Sequence, residues 1–255
     1  VARCGVGYDR VDIPSATTLG KVVTITPTAN HAAVAEQAIA LMFAVAKRVV
    51  PHDRLVRKGG WSTTPMQPIR GRTMGIFGLG RIGRSTASRC VSLGMTVIAT
   101  ETYPDETFVE EHGIELVDFE TLLSRSDYLS IHCPLTDETR GIFDARALDR
   151  MKSGSVLINT ARGGIIVESD LLHALQNGPL SAAGLDVFEK EPATADNPLF
   201  ALENIVVSPH LAGADVTSLQ DMANEAADCI VKLYQGTWPA DSAIVNPDVK
   251  ENWSW

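Results

Sequence analysis

The chain has 255 residues, 45% hydrophobic and 21% charged, values that suit a globular protein with a sizeable buried core. A net charge of −9 leaves no broad positive field to hold a phosphate backbone, so no nucleic-acid partner is expected. No apolar run is long enough to span a membrane: the best candidate, Ala38 to Val50, is broken by Lys47 and Arg48.

In chain order, the first regular signal is the β-branched run Lys21–Thr26, which predicts a strand. A helix is predicted from Ala33 to Val49, where Val34, Ala38, Leu41, Val45 and Val49 recur at helical spacing. A polar segment containing glycine and proline, Gly59 to Gly71, follows it. From Thr73 the pattern becomes strand–helix alternation. Strands are predicted at Met74–Phe77, Thr96–Thr100, Tyr128–His132, Ser155–Asn159, Ser181–Asp186 and Ile205–Ser208. Helices are predicted at Arg84–Leu93, Phe119–Ser124, Ala145–Met151, Ser169–Gln176 and Val216–Gln235. Short apolar strands alternating with helices imply a parallel sheet covered on both faces, the doubly wound α/β (Rossmann) architecture. Residues 31–235 are therefore assigned to a nucleotide-binding domain. Residues 1–30 and 236–255 fall outside the array and are assigned to part of a second, smaller domain. In the tail, Trp253 and Trp255 read equally as a docked end or an unpacked one.

Gly78-Leu79-Gly80-Arg81-Ile82-Gly83 is a GxGxxG that follows a predicted strand and opens a predicted helix. The first glycine permits a tight turn, the second a close approach of backbone to a pyrophosphate, and the third close helix–strand packing. Glu101 stands at the end of the next strand, 18 positions beyond Gly83. A carboxylate there accepts hydrogen bonds from both adenosine-ribose hydroxyls and repels a 2′-phosphate, which favours NAD over NADP. The bland reading, a structural turn and a solvated acid, has to explain strand, loop, helix and acid separately.

Three polar residues lie beyond the carboxyl ends of late strands, where open parallel sheets bind ligands. Arg162 follows Ser155–Asn159, Glu191 follows Ser181–Asp186, and His210 follows Ile205–Ser208. A guanidinium holds a carboxylate bidentately, and so supplies the local cation an anionic substrate needs on an acidic protein. An imidazole donates a proton to a carbonyl oxygen as hydride arrives, and a neighbouring carboxylate orients the ring and favours its charged form. Taken singly, the three read as well as a turn, a strand end and a loop; their joint placement behind a cofactor motif carries the functional reading. His132 ends the third strand and reads equally as a structural histidine. Cys133 reads as a small packing residue. The four cysteines, at 4, 90, 133 and 229, form no CxxC and no close pair, which fits a reducing cytoplasm. His31, His52, His112 and His173 form no ligand pair, so no metal is expected.

These motifs resemble the D-isomer-specific 2-hydroxyacid dehydrogenases, in order along almost the whole chain. The matching stretches are Gly5-Val6-Gly7-Tyr8-Asp9, Val34-Ala35-Glu36, the glycine motif and His132-Cys133-Pro134-Leu135-Thr136. Asn159-Thr160-Ala161-Arg162-Gly163-Gly164, Asp186-Val187-Phe188-Glu189-Lys190-Glu191-Pro192 and Ser208-Pro209-His210 complete the set. The resemblance implies hydride transfer between NAD(H) and a small D-2-hydroxy or 2-oxo acid, with Arg162, Glu191 and His210 as the catalytic set. It also implies that Asp186 holds the nicotinamide carboxamide, that Cys133, Pro134, Thr160 and Ala161 line the cofactor, and that the Val6-Gly7 backbone meets the substrate carboxylate. It further implies a homodimer built on the long helix, and a smaller, flavodoxin-like substrate domain with a further half-domain ahead of Gly5, so that the chain reads as a fragment. A different class stays open: some relatives sense NAD as corepressors and can keep the same three residues. Formate-oxidising relatives pair the histidine with glutamine, and Glu191 argues against that branch. One departure is Asp215 after Gly213-Ala214, read as a helix N-cap.

Overall fold

The structure is a computed structural model that describes residues 1–253; Ser254 and Trp255, with any docking of the latter, lie outside the described residues. Cα proximity divides the chain into two compact units. One comprises Val34–Ala212, and the other Val1–Ala33 together with the chain from Gly213 onward.

The first unit is built on a seven-stranded parallel sheet. Its strands are β1 (Thr73–Phe77), β2 (Thr96–Thr100), β3 (Glu115–Leu116), β4 (Tyr128–Ile131), β5 (Ser155–Asn159), β6 (Leu180–Leu185) and β7 (Ile205–Val207), in the order β3-β2-β1-β4-β5-β6-β7. Every ladder is parallel. The doubly wound fold expected from the strand–helix alternation is thus present. The strand order reverses between β1 and β4, and the crevice outside their carboxyl ends is where this architecture receives ligands.

The central strands are buried along their whole length: β4 and β5 have no exposed residue. Helices cover both faces. On one side, Phe77, Phe119 and Phe143 pack ring against ring, with centroids 5.2 to 5.4 Å apart, and Leu122, Leu129, Leu148 and Leu157 complete the layer. On the other, Leu41, Met42 and Val45 meet Met74, Ile76 and Val156.

Six of the seven strands were legible from apolar runs. β3, two exposed residues, has too little pattern to register. The run Lys21–Thr26 forms single bridges at Thr24 instead of a strand of the expected length. The long helix, α2 (His31–Ala46), stops three residues before its expected end. There Arg48 takes a left-handed backbone (φ 49°) and starts a separate helix, α3 (Val49–Arg57). Three short helices were not anticipated: α1 (Ile13–Thr18), α3 and α5 (Glu106–His112). The remaining helices lie close to their expected places: α4 (Arg81–Ser92), α6 (Phe119–Arg125), α7 (Ala145–Asp149), α8 (Glu168–Gln176) and α9 (Val216–Tyr234).

The second unit is smaller. Residues 1–3, 22–26 and 244–246 lie side by side, paired through Arg3 N–H to Thr24 O, Ile25 N–H to Ala243 O and Val245 N–H to Val23 O, with a short 3-10 turn, Asp241–Ala243, just ahead. Cα proximity groups helix α9 with this unit. The cause is apolar packing: Leu233 of α9 clusters with Val22 and Val249, flanked by Trp238 and Trp253. Asp215 caps α9 as expected, its carboxylate accepting from Ser218 N–H at 2.6 Å.

Phe143 has no exposed surface and touches both neighbouring rings. Phe143→Ala is expected to cost about 3–5 kcal/mol of stability, read as a lower urea midpoint at unchanged slope.

Candidate active site

The glycine turn lies where β1 ends. Gly78 has φ +97°, and a Cβ on it would stand 2.6 Å from the Cys133 backbone nitrogen, so only glycine lets the β1 and β4 ends approach so closely. A Cβ on Gly83 would stand 2.0 Å from Gly78 O, which is the close helix–turn contact expected there. Gly80 is the N-cap of α4 and has no side-chain cap. Beyond its own chain neighbours, no heavy atom lies within 4 Å of where its Cβ would stand, so the backbone is bare at the positive end of the helix. Arg81 is exposed beside it, and Ile82 is half-buried. Glu101 reaches back to this turn: Oε2 accepts from Leu79 N–H at 2.7 Å, and Oε1 from the Thr102 and Tyr103 amides at 2.8 and 3.1 Å.

Beyond β4, the His132 imidazole is buried. Nε2 lies 2.8 Å from Ser130 Oγ, and Nδ1 has no partner. Burial pushes its pKa down to about 3, so the ring is neutral at physiological pH. Burial likewise pushes the Cys133 thiol up to about 12, which removes thiolate chemistry from it. Pro134 is exposed next to it. Beyond β5, Thr160 is buried with its Oγ1 unpartnered, and Ala161 is half-buried. A bare helix N-terminus, a carboxylate at the second strand and two orphaned polar atoms on one sheet edge fit an adenine dinucleotide.

The turn after β5 is shaped by Asn159, whose Oδ1 accepts from Ala161 N–H at 3.0 Å and whose Nδ2 donates to Arg162 O at 2.9 Å. Arg162 Nη1 donates to Ala161 O at 2.7 Å. The loop after β6 carries Glu191, and the loop after β7 carries His210. Here the fold brings two expected partners together: His210 Nδ1 lies 2.7 Å from Glu191 Oε2, and Phe188 N–H donates to Glu191 Oε1 at 3.2 Å. The glutamate side chain is 19% exposed and the imidazole 45%, so the ring faces open space while its partner is sheltered.

Asp186 is fully buried beneath this loop. Its carboxylate accepts from Ser208 Oγ–H, from Leu211 N–H at 3.1 Å and from Ala212 N–H at 2.8 Å, and its carbonyl accepts from His210 N–H at 2.8 Å. Gln37 Nε2, on α2, donates to the same Ser208 hydroxyl at 3.0 Å. In this structure Asp186 is the anchor of the His210 loop. Val6 and Gly7 belong to the other unit, where both are half-buried and the preceding Gly5 N–H donates to Thr26 Oγ1 at 2.7 Å.

Asn159, Gln37 and Ser208 had no role in the sequence reading. Asn159 carries a recognisable signal, an amide at a strand end two residues before a turn. The link between Gln37 and Ser208 spans 171 residues and has no local signature.

Residues 39–212 match the family described as "D-isomer specific 2-hydroxyacid dehydrogenase, NAD binding domain". The chain belongs to this family. It is 40% identical over 252 residues to a D-3-phosphoglycerate dehydrogenase of Archaeoglobus fulgidus, a match covering 98% of this chain and 48% of that protein. It is 41% identical over 255 residues to a glyoxylate reductase of Korarchaeum cryptofilum, covering 98% of this chain and 76% of that one. The chain thus spans about half the length of the first relative and about three quarters of the second. Among solved structures, D-lactate dehydrogenase of Aquifex aeolicus complexed with NAD and lactic acid superposes with a TM-score of 0.84 at 29% identity, over 91% of this chain and 75% of that one. The NAD-binding domain expected from the glycine motif is accordingly present.

The buried neutral His132 gives a pH-dependent stability of definite sign. The unfolded chain takes up a proton below about 6.5 and the folded chain resists until about 3, so stability falls as pH drops through that window. Between pH 6.5 and 5, above most carboxylate titrations, His132→Gln is expected to flatten the loss of stability, by up to about 1.4 kcal/mol per pH unit. Urea unfolding at several pH values measures it.

Proposed function

We propose that this protein is an NAD-dependent oxidoreductase that interconverts a small D-2-hydroxy acid and its 2-oxo acid. The observation that carries the reading is the 2.7 Å bond between Glu191 and His210 Nδ1, on the same sheet edge as the glycine turn. Bound NADH supplies the hydride for reduction, and NAD accepts it in the reverse direction.

The protein's own groups handle the rest. With Glu191 accepting at Nδ1, the nitrogen left to exchange a proton with the substrate oxygen is Nε2. In reduction the imidazolium gives that proton to the oxygen of the 2-oxo acid; in oxidation the neutral ring takes it back. The Glu191 carboxylate offsets the ring's positive charge and fixes its tilt. Arg162 binds the substrate carboxylate and polarises the adjacent carbonyl, so the anion finds a cation on an otherwise acidic chain. The Val6-Gly7 backbone, by resemblance, meets the same carboxylate. Arg81, Ile82, His132, Cys133, Pro134, Thr160 and Ala161 line the dinucleotide, and Glu101 takes the adenosine-ribose hydroxyls. Asp186, by resemblance, holds the nicotinamide carboxamide, and its carboxylate also holds the His210 loop.

The same proposal includes a homodimer in a reducing, cytoplasmic setting. All four cysteines are free thiols. Trp61 is 82% exposed, and Val49, Val56 and Met66 are exposed near it in sequence, apolar surface that a second copy would cover. Light scattering on the purified protein tests the stoichiometry.

The decisive assay is NADH oxidation with glyoxylate, hydroxypyruvate and pyruvate, using the full-length protein. His210→Ala is expected to lower kcat by roughly 10²–10⁴-fold, the usual worth of a positioned acid–base group. Full activity in that variant overturns the assignment. NAD binding without turnover on any 2-oxo acid favours the corepressor-like sensor instead. Glu101→Ala is expected to weaken NADH binding by roughly tenfold or more while weakening NADPH less, as read by fluorescence titration.

A further inference from the structure

Glu191 sits in a segment without regular secondary structure, between Asp186 and Pro192. Its hold on His210 depends on where that segment lies; within the segment, Phe188 N–H donates to Glu191 Oε1 at 3.2 Å. Elsewhere the segment is held at three places. Phe188 is buried and packs edge-on against Phe200, with ring centroids 5.4 Å apart. The turn carrying Arg162 presses on the next peptide: a Cβ on Gly163 would lie 1.9 Å from Phe188 C and 2.4 Å from Glu189 N.

The third hold is a reciprocal pair of backbone-to-carboxylate bonds. Helix α8 begins after Val167, whose side chain provides no cap, so its first amides need acceptors from outside. Glu189 supplies one: Glu168 N–H donates to Glu189 Oε1 at 3.1 Å. In return Glu189 N–H donates to Glu168 Oε1 at 2.6 Å. The other oxygen of Glu168 accepts from Asn197 Nδ2 at 3.0 Å, and Asn197 is itself fixed by Leu199 N–H to its Oδ1 at 2.9 Å. The two side chains are thus tied to each other's backbone. Each carboxylate accepts from the amide of the other's residue, so the arrangement holds only when both segments are in register.

We propose that Glu168 and Glu189, with Asn197 behind them, are positioning residues that set the Glu191 carboxylate against His210 Nδ1. They act through backbone placement and do not touch substrate or cofactor. The role rests on the oxidoreductase reading above, and concerns the same catalytic pair. Through it, the start of α8, the Arg162 turn and the Glu191 loop move as one body. A slip of the 188–191 segment by about an ångström would break the imidazole bond, and displacements of that size cost on the order of 10²-fold in rate.

The test uses the full-length protein and the variants Glu168→Ala, Glu168→Gln and Glu189→Ala, all assayed below their melting temperatures. One readout is the downfield proton resonance of the His210 Nδ1–H, assigned by its disappearance in His210→Ala. The other is kcat and KM for NADH and the best 2-oxo acid. Glu168→Ala is expected to shift or broaden the resonance and to lower kcat by roughly 10- to 100-fold, with KM for NADH within about twofold. Glu168→Gln keeps one acceptor oxygen and is expected to recover most of both signals. Glu189→Ala, which leaves one of the two reciprocal bonds, is expected to lie between, and it carries the test if Glu168→Ala does not fold. An unaltered resonance and unaltered kcat in both alanine variants overturn the proposal. A wild type that turns over no 2-oxo acid overturns the oxidoreductase reading instead, and the resonance still reports whether Glu168 positions the pair.

Discussion

A carboxylate with no access to water has to be satisfied by protein donors, and Asp186 is such a carboxylate. Its donors come from one stretch of chain: the Ser208 hydroxyl and the Leu211 and Ala212 amides, with His210 N–H on the Asp186 carbonyl. Together they bend residues 208–212 tightly enough that His210 has φ 56°, a backbone region that a residue with a side chain enters at a cost. The strain is tolerated because releasing it would leave buried carboxyl oxygens without partners. The imidazole is therefore held by its backbone before Glu191 touches the ring.

The same economy of place runs along the whole carboxyl edge. Parallel strands all end on one side, so the turns after β1, β4, β5, β6 and β7 gather there without any loop travelling far. Gly78 lets the β1 turn meet the β4 end, and Gly163 lets the Arg162 turn meet the Glu191 loop; in both cases backbone lies where a Cβ would otherwise stand. A dinucleotide fold of this kind binds through backbone amides at one end of the edge. It leaves side-chain chemistry to the other end, where the two loops carrying charge are braced against each other.

Much of this was readable from the residues alone. The apolar runs of the central strands, the glycine turn with its acid at Glu101, and the polar residues just past three strand ends each have a local signature. What had none was missed or misplaced. β3 is two exposed residues, the break at Arg48 is a single left-handed residue inside an otherwise helical pattern, and the run Lys21–Thr26 has strand composition but forms only isolated bridges. The bonds by which Asp186 holds its loop have no local signature, because their donors lie 22 to 26 residues away.

The order of residues along the chain was enough to establish the period of each buried element and the chemical type of each strand-end group, because periodicity and turn chemistry act over a few residues. The pairing of Glu191 with His210, the burial of Asp186 and the reciprocal bond between Glu168 and Glu189 needed the folded sheet. Each joins segments about 20 residues or more apart, and only the packing of neighbouring parallel strands sets the distance between their ends.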